Sequence, residues 1–223
     1  APTISLFDPI GQHAHLLNLG VHLEAVVCGV VHPCDQESLQ GAMDAHHAGL
    51  IKAVLIAPET KLRALAAQCN IDISAAGVID VPHSHAAAEM AAQMAADKKL
   101  EALMKGSLHT DELIHAVVMQ PGLRTGRRMS HVFRCQVPMY PKPLYITDAA
   151  LNIAPTLAEK ADIVQNAIDF AHVMGIEEPK VAILAAVETV NPSMPSTLDA
   201  AALCKMAERG QIKGGVLDGQ EEY

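Results

Sequence analysis

The stretch DQESLQGAMDAHHAGLIKAVLIAPETKLRALAAQCN, residues 35–70, decides the predicted fold. Asp35 is a residue type that caps helices, and the helix that it begins ends at Gly49. The apolar run 50–56 that follows is typical of a buried strand, and a second helix spans about 59–70. A helix, a strand and another helix in close succession predict βαβ units and a largely parallel sheet, which makes this an α/β protein.

The alternation of apolar runs and helix-forming stretches continues along the chain. Pro138, Pro141 and Pro143 interrupt it, because proline lacks the N–H that a continuing helix needs. We therefore predict two domains, residues 1–138 and 139–223. The remaining predicted strands span 78–81, 100–104, 129–137, 144–147, 180–187 and 214–217, and the helices span 84–96, 156–175 and 198–209. The predicted helix caps are Ser84, Thr156 with Glu159, and Ser196 with Asp199.

Composition excludes several classes of protein. The 223 residues are 50% hydrophobic and 18% charged with a formal net charge of −9, which fits a folded protein and disfavours nucleic acid as a partner. The longest apolar run, 181–187, is far shorter than the roughly 18 residues of a membrane span, so we expect none. The five cysteines include no CxxC pair, a pattern typical of reduced thiols in the cytoplasm.

Arginines are concentrated in one part of the sequence. Four of the six lie within the eleven positions 124–134, and no acidic residue occurs between Glu112 and Asp148. Guanidinium groups bind phosphate and carboxylate through paired hydrogen bonds, so this cluster favours a small phosphorylated ligand. Structural ion pairs with acidic residues from elsewhere in the fold are an equally good interpretation.

A second candidate site is LMKGSLHTDE at 103–112, where an apolar strand meets a glycine turn and a helix start. Backbone N–H groups at such a turn can face an anion, with Lys105, Ser107 and Thr110 as further donors. The spacing is not that of a Walker A loop. An ordinary helix cap at Thr110 is the simpler interpretation of that residue.

The twelve histidines do not have the spacing of a metal site, so we predict no bound metal. His109 and His131 differ from the others because each lies in one of the two candidate sites. An acid/base role and a structural role are both open for them. Asn152 and Asn191 follow predicted strands, where ligands collect in parallel sheets, although hydrogen bonds to the loop backbone would also explain them.

Five segments resemble the phosphate acetyltransferase and phosphate butyryltransferase family. They are LMKGSLHTDE at 103–112, LRTGRRMSHVF at 123–133, LYITDAALNIAPTL at 144–157, VAILAAVETVNPSMPST at 181–197 and AALCKMAERGQIKGGVLDG at 201–219. Within this family, the sequences of these segments are closer to the butyryltransferase branch and to the acyltransferase part of enoyl-CoA hydratase/phosphate acetyltransferase fusions.

This resemblance implies a reversible transfer of a short acyl group, acetyl to butyryl, between CoA and inorganic phosphate. It implies acyl-CoA and phosphate as partners, with no metal or other cofactor, and a cytoplasmic homodimer or larger homo-oligomer. The implied fold is a three-layer α/β/α architecture in two domains, like that of isocitrate and isopropylmalate dehydrogenases. A nicotinamide-dependent dehydrogenase is disfavoured because the sequence has no GxGxxG fingerprint.

Site residues follow from the matching segments together with the chemistry of their side chains. The candidate catalytic residues are Ser107, His109, Thr110, Ser130 and His131. The candidate phosphate and CoA ligands are Lys105, Gly106, Arg124, Arg127, Arg128, Asn152, Asn191 and Ser196.

In sequences of the family, the part that corresponds to Gly219 is followed by a longer segment with a late Ser-Arg pair and an aspartate. In this sequence, Gly219 is followed by Gln220 to Tyr223. We therefore expect an incomplete second domain and assign no general base. A chain that binds acyl-CoA or acyl phosphate without turnover is the alternative function.

Overall fold

The computed structural model describes residues 20, 22–137 and 140–218. The described residues fall into two compact units, an N-terminal unit up to Arg124 and a C-terminal unit from Thr125 onward. Among the described residues there are six α-helices, and none of them is long and apolar enough to cross a membrane.

The N-terminal unit is built on a four-stranded parallel sheet in the order β3-β2-β1-β4. The strands are β1 (Val26–Val31), β2 (Ile51–Ala57), β3 (Gly77–Asp80) and β4 (Ala102–Lys105). The first three strands follow one another in a single direction, and β4 then lies on the opposite side of β1. The carboxyl ends of β1 and β4 therefore flank a topological switch point, where open parallel sheets collect their ligands.

Helices cover both faces of this sheet. They are α1 (Gln36–His47), α2 (Glu59–Cys69), α3 (Ser84–Ala96) and α4 (Thr110–Met119), with a short 3-10 turn at Pro121–Leu123. Alternate side chains of a strand point to opposite faces, so Val30 packs in the core with α1 and α2 and Val31 packs with α3 and α4. The N-terminal unit is thus three layers, with a separate apolar core on each side of the sheet.

The buried face of α3 consists of alanine alone. Ala87, Ala88, Ala91 and Ala92 are all fully buried against residues that include Val31 and Ile56 of the sheet. Because alanine extends so little from the backbone, the helix axis lies close to the sheet.

The C-terminal unit contains two small sheets. β5 (Phe133–Cys135) and β6 (Leu144–Ile146) are antiparallel, whereas β7 (Lys180–Ala182) and β8 (Val216–Asp218) are parallel. The helices are α5 (Leu157–Val173) and α6 (Pro195–Glu208). Its core includes Val164, Ile168, Leu203 and Ile212.

Two predicted helix starts are confirmed. Asp35 accepts a hydrogen bond from the Ser38 backbone N–H at the start of α1. Thr156 and Glu159 form the predicted capping box of α5, each side chain accepting from the backbone of the other residue.

Two other predicted caps are wrong. The α3 cap is His83, whose Nδ1 accepts from the Ala86 backbone N–H, and Ser84 is the first helical residue. At α6 the cap position is Met194, and Pro195 begins the helix. Asp199 lies beyond the third helical position that a capping box uses, and its carboxylate instead pairs with Lys160 of α5 at 2.6 Å.

The predicted strand at 129–137 is observed over three residues only, as β5. The preceding backbone N–H groups are taken by carboxylates, since Arg128 donates to Asp162 and His131 donates to Asp148. β5 pairs with β6 across the predicted domain boundary at residue 138, so the two strands belong to one unit. The predicted strand at 180–187 is likewise shorter, because β7 pairs with β8 over three residues.

Candidate functional site

The glycine turn, which we define as residues 105–110, lies at the switch point of the N-terminal sheet. It links the end of β4 to the start of α4 and packs directly on the chain that leaves β1. The Gly106 N–H donates to the Val31 carbonyl at 2.8 Å, and the Ser107 N–H donates to the His32 carbonyl at 2.9 Å. These bonds hold the glycine turn, with its predicted site residues Lys105, Gly106, Ser107, His109 and Thr110, against the end of β1.

Gly106 is required by this close approach. A Cβ atom at this position would lie 2.5 Å from the carbonyl oxygens of both Val31 and His32, a distance that real Cβ atoms do not adopt. Both neighbours are backbone atoms and cannot rotate away. The structural role of Gly106 is therefore to let the end of β4 touch the end of β1.

The Ser107 hydroxyl lies among three groups from the segment that follows β1. Its Oγ is 2.9 Å from the His32 carbonyl oxygen, 3.1 Å from His32 Nδ1 and 3.2 Å from the Cys34 backbone nitrogen. Ser107 as a residue is nevertheless exposed, so a ligand can reach the turn.

The start of α4 corrects the expected cap at Thr110. The cap position is His109, which makes no side-chain cap bond, and Thr110 is the first helical residue. The first-turn N–H groups of α4 therefore have no side-chain partner from the cap position. Such N–H groups, at the positive end of the helix dipole, are suited to bind an anion.

Burial lowers the pKa of His32, and the positive charge of Lys61 lowers it further, against opposing effects of Glu112 and Asp35. The ring is thus held neutral at physiological pH. The Asp35 carboxylate has a lowered pKa because it accepts the Ser38 backbone N–H at the start of α1.

Arg124 does not lie beside the glycine turn. Its Nε donates to the Val118 carbonyl at 2.9 Å, at the carboxyl end of α4, whereas the glycine turn lies at the amino end. A helix of this length separates the two places by about 15 Å. Its cation stabilises the negative end of the helix dipole there. Among the described residues no acid pairs with Arg124.

The other predicted arginines belong to the C-terminal unit, in a group that we call the arginine cluster. It consists of Arg127, Arg128, Ser130, His131, Asp148, Asn152, Glu159, Asp162, Asn166 and Asp169. Arg127 pairs with Asp169 at 2.5 Å, and Arg128 pairs with Glu159 at 3.0 Å. The ion-pair interpretation of these two arginines is therefore confirmed for the described structure.

The arginines lower the pKa values of their acidic partners. For Asp169 the largest cause is the hydrogen bond from Arg127. For Glu159 the hydrogen bonds of the Thr156 capping box come first, and Arg128 adds to them. All these side chains are a third to a half exposed, so each pair stabilises the fold weakly.

Asp148 is the centre of hydrogen bonding in the arginine cluster. Its Oδ1 accepts from the Ala150 and Leu151 N–H groups at 2.9 Å, and its Oδ2 accepts from the His131 N–H and the Asn152 side chain at 3.2 and 2.5 Å. Burial alone would raise the pKa of this carboxyl, but the four hydrogen bonds outweigh it and lower the pKa.

Asn152 connects this carboxylate to an arginine. Its Oδ1 accepts from Arg128 Nε at 2.8 Å, while its Nδ2 donates to Asp148 and to the Met129 carbonyl. The side chain thus makes the expected hydrogen bond to loop backbone, and in addition it fixes the Arg128 guanidinium.

Ser130 and His131 lie in the same cluster. The Ser130 hydroxyl accepts from the Asn166 side chain at 2.9 Å. The His131 ring lies against Phe133 with 4.2 Å between centroids, and its buried Nδ1 has no hydrogen-bond partner among the residues that the structure describes.

The last two predicted ligands, Asn191 and Ser196, lie around the start of α6. The Asn191 Oδ1 accepts from the Ser193 N–H at 2.9 Å, and its backbone N–H donates to the buried Thr197 hydroxyl. Hydrogen bonding within the loop, one of the two expectations for Asn191, is what the structure contains.

Sequence reasoning missed three features of these sites. His32 has no local motif, and its position beside Ser107 depends on strand order. Asp148 as a hydrogen-bond centre and the pairing of Glu159 and Asp169 with arginines were not assigned. The sequence signal for this pairing was the absence of acidic residues between Glu112 and Asp148. Any acidic partner of the arginines in that interval has to come from outside it. Across residues 20, 22–137 and 140–218, no group of three or more His, Cys, Asp or Glu side chains has a metal-binding arrangement.

The fold defines the chain as an α/β protein with a parallel sheet. The crystal structure of a phosphotransacetylase from Streptococcus pyogenes superposes with a TM-score of 0.78 at 15% identity, covering 96% of this chain and 74% of that one. The sequence model of a family described as phosphate acetyl/butaryl transferase matches residues 85–222. The chain belongs to this family.

Two curated relatives show how the chain compares within the family. A phosphate acetyltransferase from Rhizobium meliloti is 58% identical over 191 residues, which are 85% of this chain and 60% of the relative. A phosphate butyryltransferase from Clostridium acetobutylicum is 40% identical over 186 residues, 83% of this chain and 62% of the relative. The chain thus spans about three fifths of the length of these relatives. Of these two relatives, the acetyltransferase has the higher sequence identity to this chain. The resemblance of the five segments had favoured the butyryltransferase branch.

Proposed function

We propose that this protein catalyses the reversible transfer of a short acyl group between CoA and inorganic phosphate, giving acyl phosphate and free CoA. The observation that carries the proposal is the glycine turn at the switch point of the sheet, in a chain 58% identical to a phosphate acetyltransferase. In the direction of acyl phosphate formation, a phosphate oxygen attacks the thioester carbonyl carbon. The new C–O bond replaces the C–S bond, and CoA leaves as a thiolate that takes up a proton.

The chain's own groups suit this chemistry. Phosphate brings negative charge to a carbonyl that itself becomes an oxyanion, so the site needs fixed cations and N–H donors. In the proposal, the first-turn N–H groups of α4 and the Ser107 hydroxyl supply donors, and Lys105 supplies a cation. His109 and Thr110 line the same turn. Acyl transfer from a thioester to phosphate involves no change in oxidation state, and we propose that it uses no metal or other cofactor here.

The arginine cluster supplies the second part of the proposal. Arg127 and Arg128 are already held by carboxylates, so binding a phosphate group requires it to replace or share those partners. Ser130, His131 and Asn152 would orient the same anion. Arg124, whose charge has no acidic partner among the described residues, is the better candidate for a phosphate of CoA; Asn191 and Ser196 remain weaker candidates.

Location, assembly and the finer fold are part of the same proposal. All five cysteines lie within the described residues and are unpaired, which supports a reducing compartment, the cytoplasm. The family resemblance supports a homodimer or larger homo-oligomer. The three layers of the N-terminal unit support a relation to the isocitrate and isopropylmalate dehydrogenase fold.

The direct test measures thiol release from acetyl-CoA and butyryl-CoA by the purified 223-residue chain, with and without inorganic phosphate. We expect release that depends on phosphate and is lost in Ser107→Ala but not in Ser74→Ala, a control at a surface serine. Absence of phosphate-dependent release from the folded chain would overturn the proposal. Tight CoA binding in calorimetry would then support the non-catalytic alternative.

A matched pair of variants tests the arginine cluster separately. Arg128→Ala removes a pair with Glu159, and Arg63→Ala removes a similarly exposed pair with Glu59 on α2. We expect Arg128→Ala alone to raise the KM for phosphate, while both variants lose little stability. An unchanged KM in Arg128→Ala would remove the cluster from the mechanism.

A further inference from the structure

Arg134 differs from the two paired arginines of the arginine cluster. It lies in the middle of β5, is partly buried, and pairs with no acid among the residues that the structure describes. Its Nε is buried and has no hydrogen-bond partner among them. A guanidinium group keeps its charge at physiological pH, so Arg134 cannot relieve the missing partner by losing a proton. A buried donor without an acceptor costs stability, and proteins carry such costs at functional sites.

The pairing of β5 with β6 shows which way Arg134 faces. Arg134 lies opposite Tyr145, and the Tyr145 ring packs edge-on against Phe170 of α5 with 5.8 Å between centroids. The neighbouring pair, Phe133 and Ile146, lies on the other face, where the two side chains are 46% and 43% exposed. Arg134 is therefore on the face of this two-stranded sheet that covers α5.

The elements on that face offer no acid to Arg134. The three acidic residues of α5 already serve the arginine cluster, two in ion pairs and one as the acceptor of a backbone N–H; they are Asp169, Glu159 and Asp162. β6 contains no acidic residue. An anion for Arg134 therefore has to come from outside β6 and α5.

Gln136, two residues along the chain, also lacks an acceptor. Its Nε2 is buried without a hydrogen-bond partner within residues 20, 22–137 and 140–218. In extended backbone, side chains two residues apart begin about 7 Å from each other, so two long side chains can reach one group. A phosphate group suits both donors, because it offers several acceptor oxygens and the negative charge that a guanidinium group binds through paired hydrogen bonds.

We propose that Arg134, with Gln136 beside it, binds a phosphate group of a substrate. This inference rests on the proposed function, which supplies two sources of that group, inorganic phosphate and the phosphates of CoA. Arg134 is better suited to this task than Arg127 or Arg128, because a phosphate group displaces no carboxylate from it. The bound phosphate group provides the acceptor that the buried Nε lacks.

The first test measures the melting temperature of the 223-residue chain and needs no activity. Arg134→Met keeps an unbranched apolar side chain and removes the unpaired charge, so without ligand this variant should melt about 2 °C or more above the unmodified chain. Inorganic phosphate, CoA or both should raise the melting temperature of the unmodified chain beyond the effect of sodium chloride at equal ionic strength. Arg134→Met should lose that rise for the ligand that Arg134 binds.

The matched control is Arg209→Met, at an exposed arginine that ends α6 in the same unit. This variant should gain no stability and should keep the full response to both ligands. A structural role of Arg134 would instead make Arg134→Met melt below the unmodified chain, and that result would overturn the proposal. An undiminished response of Arg134→Met to both ligands, or no response of the unmodified chain to either, would also overturn it.

Kinetics identify the substrate that carries the phosphate group. We expect Arg134→Met to raise one KM by about tenfold, the effect of losing a charge-assisted hydrogen bond, with little change in kcat. A raised KM for inorganic phosphate assigns Arg134 to that substrate. A raised KM for acetyl-CoA assigns it to CoA, and then S-acetyl-pantetheine, which has no phosphate group, should show the same KM in both chains.

Arg134→Lys, which keeps the charge but not the paired donors, should recover part of the loss. Unchanged KM values for both substrates would contradict the proposal, as would a difference that persists with S-acetyl-pantetheine. If the unmodified chain shows no phosphate-dependent turnover, the proposed function fails, whereas the melting temperatures still decide whether Arg134 binds phosphate or CoA.

Discussion

The glycine turn and the arginine cluster place their polar groups in different ways. In the glycine turn, backbone bonds between the ends of β1 and β4 fix Ser107, and a buried parallel sheet supports both ends. In the arginine cluster, side chains hold side chains, on three-residue strands and at half-exposed positions. The first region depends on backbone geometry that no side chain can replace. The arginine cluster depends on charge, through many contacts that are each weak.

The largest expected effect is a break in the glycine turn. Gly106→Ala forces a Cβ to within 2.5 Å of two carbonyl oxygens, so the end of β4 must move away from β1. We expect a loss of about 3 kcal/mol in the free energy of unfolding, measured by urea denaturation.

The control is the corresponding change in the arginine region. A Cβ at Gly126 meets nothing within 4 Å, and its φ is not in the left-handed range. Gly126→Ala should therefore alter stability by less than about 0.5 kcal/mol. Similar losses of unfolding free energy in Gly106→Ala and Gly126→Ala would show that the glycine turn does not depend on close backbone contact more than the arginine region does.

A smaller effect is expected at the centre of the arginine cluster. Asp148→Ala leaves four donors without their acceptor, among them the His131 N–H and the Asn152 side chain. We expect a loss of about 2 kcal/mol, because these donors are only partly buried and water replaces part of each bond. Asp148→Asn, which keeps one acceptor oxygen, should lose less. An Asp148→Ala variant as stable as the unmodified chain would show that the cluster does not depend on this carboxylate.

Acid should weaken the arginine cluster below about pH 4. The pKa of Asp148 is lowered in the folded chain, so its stabilisation is complete above the unfolded value of about 3.9 and is lost as pH falls through the folded value. The free energy of unfolding should therefore fall below about pH 4, and Asp148→Asn should reduce that slope. An identical slope in the variant would assign the acid sensitivity to other carboxyls.

The smallest effect is expected at the half-exposed pair of Arg127 and Asp169. Asp169→Asn should cost about 0.5 kcal/mol, since exposed ion pairs contribute little. Combining it with Arg127→Ala should add almost nothing, because the first change has already removed the pair. A loss above about 2 kcal/mol would show that this pair resembles a buried one.

The sequence predicted those parts of the fold that depend on neighbouring residues. Asp35 and the pair Thr156 with Glu159 are confirmed because a cap and its partners lie within three residues. The parallel sheet was predicted from the alternation of elements alone. The predicted caps at Ser84 and Thr110 each lie one residue after the observed cap position, because a histidine occupies that position at both helices.

The candidate sites were only partly predictable for the same reason. Ser107 could be selected because it follows a strand and a glycine, but its contact with His32 joins residues 75 positions apart and requires the strand order. Likewise, composition showed that the arginines need partners from outside the acid-free gap. It could not select Asp169 for Arg127, since that pairing depends on how α5 packs within its unit.

The alanine face of α3 also limits how this sequence can vary. Ala87, Ala88, Ala91 and Ala92 are fully buried in the core between helix and sheet, so we expect larger side chains there to push α3 outward. α3 connects β3 to β4, and its displacement would move the strand that carries the glycine turn. In a selection for folded variants, these four positions should accept little beyond glycine and serine, whereas Met90, exposed on the same helix, should accept most residues.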